Sequence, residues 1–403
     1  MSLDQSLAIK TDAASVLAEV QRAFREVFKH IPGANRRPKD LQLLLGVEYK
    51  LCWQVMNIVR AEDPLAVSQY VPGITSVRKF LAATRPLGIS EGTIADVESA
   101  MTAFNRVVDA HSDDRRGFDS MVASLSGGDG AELITLQHRR DAFRSESQIW
   151  GSQVKTYLLQ MFASRAKSGP GFDRCYVSAK FGLRRLRHNV MPVIHGHRDS
   201  STGVVAAELA LPLDEAAAKK YGALVIGKFC TQPIPDFHTV KHSNGYIYTT
   251  LAAAEIGRKS AVNMVFGGVN RNQQVERDDS GAPALLCGAG IIAPTELAVV
   301  ELLVHRPTFG ELVPELHVQS TASASDVLEK IGLTQQFQIH ERVESLGNAA
   351  EIDPVPEAPS YQRQLDYVFQ KQRWDASEFD VFRLRMAYPI LHTRVRIVCP
   401  VTI

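Results

Sequence analysis

His195 and His197 stand one residue apart, and on a strand both imidazoles would project from the same face, where they could share a metal ion. A third ligand would have to come from His238, His242, His305, Cys230 or an acidic side chain, and spacing selects none of these. With Gly196 between them and Arg198 behind, the pair is expected to form a surface turn that holds no metal. Cations surround it: Arg174, Lys180, Arg184, Arg185, Arg187 and Arg198, with His188, are offset between positions 171 and 198 by Asp173 alone. Such a local field could hold phosphate groups or an acidic partner, with Arg184, Arg185 and Arg187 as the anion-binding patch. An exposed loop or a charge-protected edge strand explains the same residues, and that structural reading is preferred.

Other reactive signatures are missing. The sequence has no G-x-S-x-G elbow, no H-E-x-x-H, no G-x-G-x-x-G after a strand and no Walker lysine. Asp113-Asp114 and Asp278-Asp279-Ser280-Gly281 suit acidic turns or helix starts rather than a spaced carboxylate pair. Ser126-Gly127-Gly128-Asp129-Gly130 lacks both the preceding strand and the following Lys-Ser/Thr of a phosphate loop, and is expected to be a flexible break. Neither catalysis nor a cofactor is expected.

A second group of side chains suits recognition rather than reaction. Pro38 can open a short helix, because its missing N–H needs no partner in a first turn. Gly46 can take the left-handed turn that ends it, and a second helix would run over about residues 48–59. Leu41, Leu45, Val47, Cys52 and Val55 have the spacing by which two crossed helices share an apolar seam. This segment, about residues 38–59, resembles the helix-turn-helix of DNA-binding regulators. The resemblance implies that the second helix enters the major groove and that Tyr49, Lys50, Gln54 and Asn57 meet base edges, while Arg36, Arg37 and Lys39 hold phosphates. It departs from that family at Gln42, where a small residue usually allows close crossing. Leu43, Leu44 and Leu51 also make the unit apolar nearly all round, as a buried element of a scaffold protein would be. Residues 85–94 echo the apolar-Gly-apolar turn at Gly88, which suggests a common packing device.

These residues must be positioned by a chain of 403 residues, long enough for two domains. Its 45% apolar, 22% charged and 7% aromatic content is that of a folded protein. A net charge of +1 gives no global attraction to nucleic acid, membranes or acidic substrates, so any polyanion binding must be local. Five scattered cysteines without a C-x-x-C pair suit buried free thiols in a reducing compartment. The N-terminus has no leader pattern, and the most apolar stretch, 288–304, is broken by Pro294 and Glu296. A cytoplasmic protein without a membrane role is expected.

The fold class expected is α+β. A helical domain over residues 1–168 would carry a helix capped at Thr11-Asp12, the 38–59 unit, helices over 75–84, 90–111 and 113–125, and a long helix over 131–167. The last has Leu136, Phe143, Trp150 and Tyr157 seven residues apart, and packing within its own domain is preferred to a coiled-coil dimer. Ser168-Gly169-Pro170-Gly171 would separate it from an antiparallel β-sandwich-like domain over residues 172–403. Strands are expected over 175–181, 224–229, 246–251, 261–266, 298–305, 316–319, 337–343 and 395–401, with a hairpin at Asn244-Gly245. A Pro-rich crossing over 348–359 leads to one amphipathic helix over 360–372. The leading expectation for function is a DNA-binding transcriptional regulator whose β domain senses a ligand or mediates assembly, for which a homodimer would suit paired half-sites. The alternative is a non-enzymatic scaffold that binds protein partners.

Overall fold

The computed structural model describes residues 3–32, 37–126, 129–198, 210–241, 246–252, 255–278, 280–321, 337 and 339–401. It is an α+β protein of two compact units, Met1–His138 and Arg139–Ile403. The first unit is built from α1 (Leu3–Lys29), α2 (Pro38–Leu45), α3 (Tyr49–Arg60), a 3-10 helix Pro64–Tyr70, α4 (Ile74–Thr84), α5 (Glu91–His111) and α6 (Arg115–Ser126). Val16, Leu17, Val20, Phe24, Val27 and Phe28 recur at helical spacing on α1 and are buried against Ile94, Val97, Met101, Phe104 and Val108 of α5. Ser90 caps α5 by accepting the Thr93 N–H at 3.1 Å. Thr11-Asp12 is no cap: it lies inside α1, and Asp12 instead meets His111 at 3.0 Å.

Helix α7 (Asp129–Trp150) crosses from one unit to the other and stops well short of residue 167. Gly151, at φ +68°, ends it, donating its N–H to Ser147 at 2.9 Å. A Cβ there would lie 2.8 Å from Arg187 Cβ, so the site requires glycine twice over. The chain continues as β1 (Ser152–Arg165), turns through Ser168-Gly169-Pro170-Gly171, and returns as the antiparallel β2 (Phe172–Arg185). The expected domain boundary is thus a hairpin turn. Residues 158–163 are apolar nearly throughout because β1 is buried on both faces, and such a run carries no period that separates strand from helix.

The second unit adds β3 (Val193–Arg198), β4 (Leu211–Pro212), α8 (Glu215–Tyr221), β5 (Phe237–Lys241), β6 (Tyr246–Leu251), β7 (Val262–Gln273), β8 (Glu276–Arg277), β9 (Pro283–Gly290), β10 (Thr295–His305) and α9 (Arg306–Phe309). It closes with β11 (Glu315–Ser320), β12 (Glu344–Asn348), α10 (Tyr361–Gln372), β13 (Phe379–Ala387) and β14 (Thr393–Pro400). A seven-stranded sheet runs β12-β13-β10-β1-β2-β7-β4, a four-stranded sheet β11-β14-β9-β8 and a three-stranded sheet β3-β6-β5. Strands β1 and β10 pair in parallel, so the largest sheet is mixed rather than antiparallel throughout. The 224–229 stretch makes an isolated bridge at Val225 and then a 3-10 turn, and the described part of 337–343 has no strand. Residues 244–245 lie outside the described residues, but β5 and β6 on either side pair antiparallel as a hairpin requires.

Alternation along β10 sorts the core. Ala298, Val300, Leu302 and Val304 pack with Cys287 and Ala289 of β9 and Val395 and Ile397 of β14. Val299 and Leu303 share the opposite cluster with Leu365, Val368 and Phe369 of α10. Glu301 belongs to this second face and has no exposed surface. Arg383 Nε donates to it at 2.6 Å, Gln160 Nε2 at 2.8 Å and the Tyr361 hydroxyl at 2.9 Å. Burial works against the Arg383 charge, but Glu301 and Tyr361 outweigh it and hold the guanidinium pKa above its usual value. Replacing Arg383→Met strands a buried carboxylate and is expected to cost about 3–5 kcal/mol of stability in urea unfolding. Glu301→Gln added to Arg383→Met should recover part of that loss; no recovery would show that packing, not charge, governs the site.

Candidate functional site

Helix α2 starts with Pro38 in its first turn and ends at Gly46, whose φ of 66° and ψ of 21° are left-handed and whose N–H donates to Gln42 at 2.8 Å. Gly88, at φ +81°, makes the echoing turn before α5. Helix α3 buries Leu51, Cys52, Val55, Met56 and Ile58. Its outer edge follows the 49, 53, 57 stripe and the adjacent 50, 54 stripe. Tyr49 is 51% and Trp53 43% exposed, Lys50 is exposed, and Gln54 and Asn57 are half-buried. Asn57 Nδ2 donates to the Trp53 carbonyl at 2.8 Å, and the Trp53 ring meets Tyr70 edge-on at 5.4 Å.

Arg37 and Lys39 are exposed at the start of α2, while Arg36 lies outside the described residues. From 37 to 60 the segment holds the cations Arg37, Lys39, Lys50 and Arg60 against the carboxylates Asp40 and Glu48, a local positive excess in a nearly neutral chain. The unit is not buried all round. Leu51 points inward, but Leu43 and Leu44 are 77% and 46% exposed.

What fixes α3 is invisible in its own sequence. The side chain of Gln21 on α1 donates to the Ile58 and Ala61 carbonyls at 2.9 and 2.7 Å. Arg25 donates to the Val59 and Ala61 carbonyls at 2.9 and 3.0 Å. These are the carbonyls that a helix C-terminus leaves unpaired, and a cation there also suits the helix dipole. Gln21 and Arg25 lie more than thirty residues upstream of the group they clamp, so no local signal marks them.

Among the described residues, the basic stretch around β2 and β3 does not gather as an anion site. Arg185 is 1% exposed, and its guanidinium donates to the Val190 carbonyl at 2.8 Å, to Leu251 at 3.0 Å and to Ala252. It ties the end of β2 to the loop after β6 rather than facing a ligand. Lys180 is 4% exposed, and its Nζ donates to the Val193 and Ile194 carbonyls at 3.0 and 3.2 Å. Arg174 pairs with Glu276 at 2.6 Å. Asp173, the one acid of the stretch, is buried and accepts from Arg271 at 2.6 Å. Of the expected patch, Arg187 is exposed and Arg184 half-buried.

His195 lies in strand β3, not in a surface turn, and is 4% exposed. Its ring lies parallel to Phe266 at 4.5 Å and to Tyr176 at 6.0 Å. The side chains of His197 and Arg198 are outside the described ones. Among the described residues, no three His, Cys, Asp or Glu side chains gather as a metal site would require. The five thiols are buried, and burial pushes each above its usual pKa, to about 11 at Cys230 and about 12 at Cys399. They are protonated thiols without nucleophilic character. Comparison with protein-family models and with curated proteins gives no match.

Burial pushes Lys180 down from 10.5 to about 7. Below about pH 7 the lysine is charged in both folded and unfolded chains, and the burial cost is fully present. Above it the folded protein releases the proton first, the unfolded chain binds more protons, and stability rises with pH. The buried thiols oppose this above about pH 8.5, where the unfolded chain begins to lose their protons. Urea unfolding between about pH 6.5 and 8.5 should therefore show stability rising in the wild type, and Lys180→Met should flatten the rise. An equal slope in the variant would assign the dependence to other groups.

Proposed function

We propose that this protein is a DNA-binding regulator that reads duplex DNA with α2 and α3. The observation that carries this is the presentation of α3: its C-terminal carbonyls are clamped by Gln21 and Arg25 while Tyr49, Lys50 and Trp53 are left to solvent and Gln54 beside them is half-buried. A helix of twelve residues is about 18 Å long and fits the major groove. In this reading Lys50 reaches guanine, Gln54 and Asn57 pair with adenine, and Tyr49 adds an apolar or hydroxyl contact. Arg36, Arg37 and Lys39 hold the flanking phosphates and fix register without reading sequence. The C-terminal unit, with its seven- and four-stranded sheets sharing one core, is read as a sandwich-like body for sensing or assembly, and a homodimer matches paired half-sites. A cytoplasmic location accords with buried thiols and with the absence, among the described residues, of a helix long and apolar enough to cross a membrane.

A scaffold role is favoured by one observation, the exposure of Leu43 and Leu44 beside Tyr49 and Trp53. Such a patch suits a protein partner as well as a phosphate backbone suits its cations. Titration of fluorescent duplex DNA with the full chain over a salt series separates the two. Binding should weaken steeply with salt, and Arg37→Ala with Lys39→Ala should lower the salt slope by about two units. Lys50→Ala and Gln54→Ala should each cost about 1–3 kcal/mol on a preferred sequence. A folded full chain that fails to bind duplex at low salt would overturn the DNA reading in favour of the scaffold.

A further inference from the structure

Charge in the helical unit is segregated along the chain. Residues 36–90 hold eight Lys and Arg against four Asp and Glu, whereas residues 1–35 and 91–138 hold seven against thirteen. Within the cationic part, residues 64–90 contain Arg78, Lys79 and Arg85 and no carboxylate. At the chain's mean content of 44 acids in 403 residues, such a stretch would hold about three.

Helix α4 positions these cations. Val77, Phe80, Leu81 and Thr84 are buried, and the Phe80 ring lies 6.0 and 6.2 Å from those of Phe24 and Phe28 on α1. Helical periodicity therefore leaves Thr75, Arg78, Lys79 and Ala82 on the outer stripe, and all four are exposed. Arg85 pairs with Glu91 at 3.2 Å. Asp40 stands nearby on α2, yet Arg78 and Lys79 make no hydrogen bond or ion pair among the described residues. An outer face needs polar groups but not one sign of charge. Helix α5 meets the same need with exposed Glu91, Asp96, Glu98 and Asp109.

Helix α4 packs against α2, the helix that in the proposed reading crosses the DNA backbone with Arg37 and Lys39. Packed helices lie about 8–10 Å apart, which is about two or three phosphates along one strand at roughly 3.4 Å each. Residues 33–36, which lead into α2, add Arg36 and no acid. We propose that α4 is a second phosphate-contacting element, with Arg78 and Lys79 holding duplex DNA beside the stretch held by Arg37 and Lys39. This role rests on the DNA reading of α2 and α3. It widens their footprint without adding sequence discrimination, because phosphate contacts position and base contacts specify.

The test is the salt dependence of duplex binding by the full chain, followed by fluorescence anisotropy with mixed-sequence DNA. Arg78→Ala with Lys79→Ala should lower the slope of log affinity against log salt by about two units. The affinity lost between about 50 and 200 mM salt then shrinks by about tenfold. The weakening should be equal on duplexes of different sequence and should add to that of Arg37→Ala with Lys39→Ala. Arg106→Ala with Arg116→Ala removes the same charge from exposed positions on α5 and α6, and should leave the slope unchanged. All four arginine and lysine positions are exposed helix sites, where alanine keeps the fold. An unchanged slope in the α4 variant, with the wild type bound, overturns the α4 contact alone. An equal fall in the α5–α6 variant overturns it as well, by assigning the effect to net charge. Wild-type protein that fails to bind at low salt overturns the DNA reading and the α4 role together.

Discussion

A carboxylate without solvent sits at the middle of the seven-stranded sheet, and the second unit is assembled around its needs. Glu301 faces Gln160 on β1 and Arg383 on β13 in direct register, and Tyr361 reaches it from α10. Removing any one of these leaves a polar or charged group in a place where water cannot replace it, at a cost of several kcal/mol. Four segments separated by up to 223 positions must therefore arrive together. The row fixes the parallel register of β1 and β10, which a hydrophobic run alone would leave free to slip. Asp173 repeats the arrangement at the sheet's other side, where Arg271 bridges it at 2.6 Å and also reaches Gln372 of α10 at 2.9 Å. Helix α10 is thus held at both ends by polar groups and along its length by Leu365, Val368 and Phe369.

The helical unit solves a different problem. A surface helix must bury one face and have its terminal carbonyls satisfied. Helix α3 buries its inner face through Val55 and Ile58, both fully covered, and has its last carbonyls capped from α1. The exposed edge is consequently held on a packed and capped support, which in the proposed reading would lower the ordering cost of binding. The same edge sets the Lys50 ammonium and the Gln54 and Asn57 amides beside the Tyr49 and Trp53 rings, with Leu43 and Leu44 exposed on α2.

Burial also determines the chemistry of the β-rich unit. Lys180 is pushed toward its neutral form, and the thiols are kept protonated. The hydroxyls of Tyr157, Tyr176 and Tyr361 are pushed up by burial as well, which keeps them protonated, and that of Tyr361 donates to Glu301. An interior that drives each of these groups to its uncharged state offers no activated nucleophile among them.

Local spacing determined a good part of this. The apolar stripes of α1 and α5, the glycine turn between α2 and α3, the amphipathic α10, and strands β2, β6, β10 and β14 all follow from periodicity and turn chemistry within a few residues. The passage from helical spacing in the N-terminal part to strand alternation in the C-terminal part carried the α+β class. Tertiary structure alone decided the rest. Residues 152–165 carry the apolar content of a buried helix, and only Gly151 and pairing on both edges make them β1. Arg185 and Lys180 read as surface cations until β3 and the loop after β6 supply carbonyls to cover them. Gln21 gives no hint that it caps a helix nearly forty residues away. The physical reason is the same in each case. Sequence spacing sets which side chains share a face, whereas burial and pairing depend on distant segments that bring the missing hydrogen bonds.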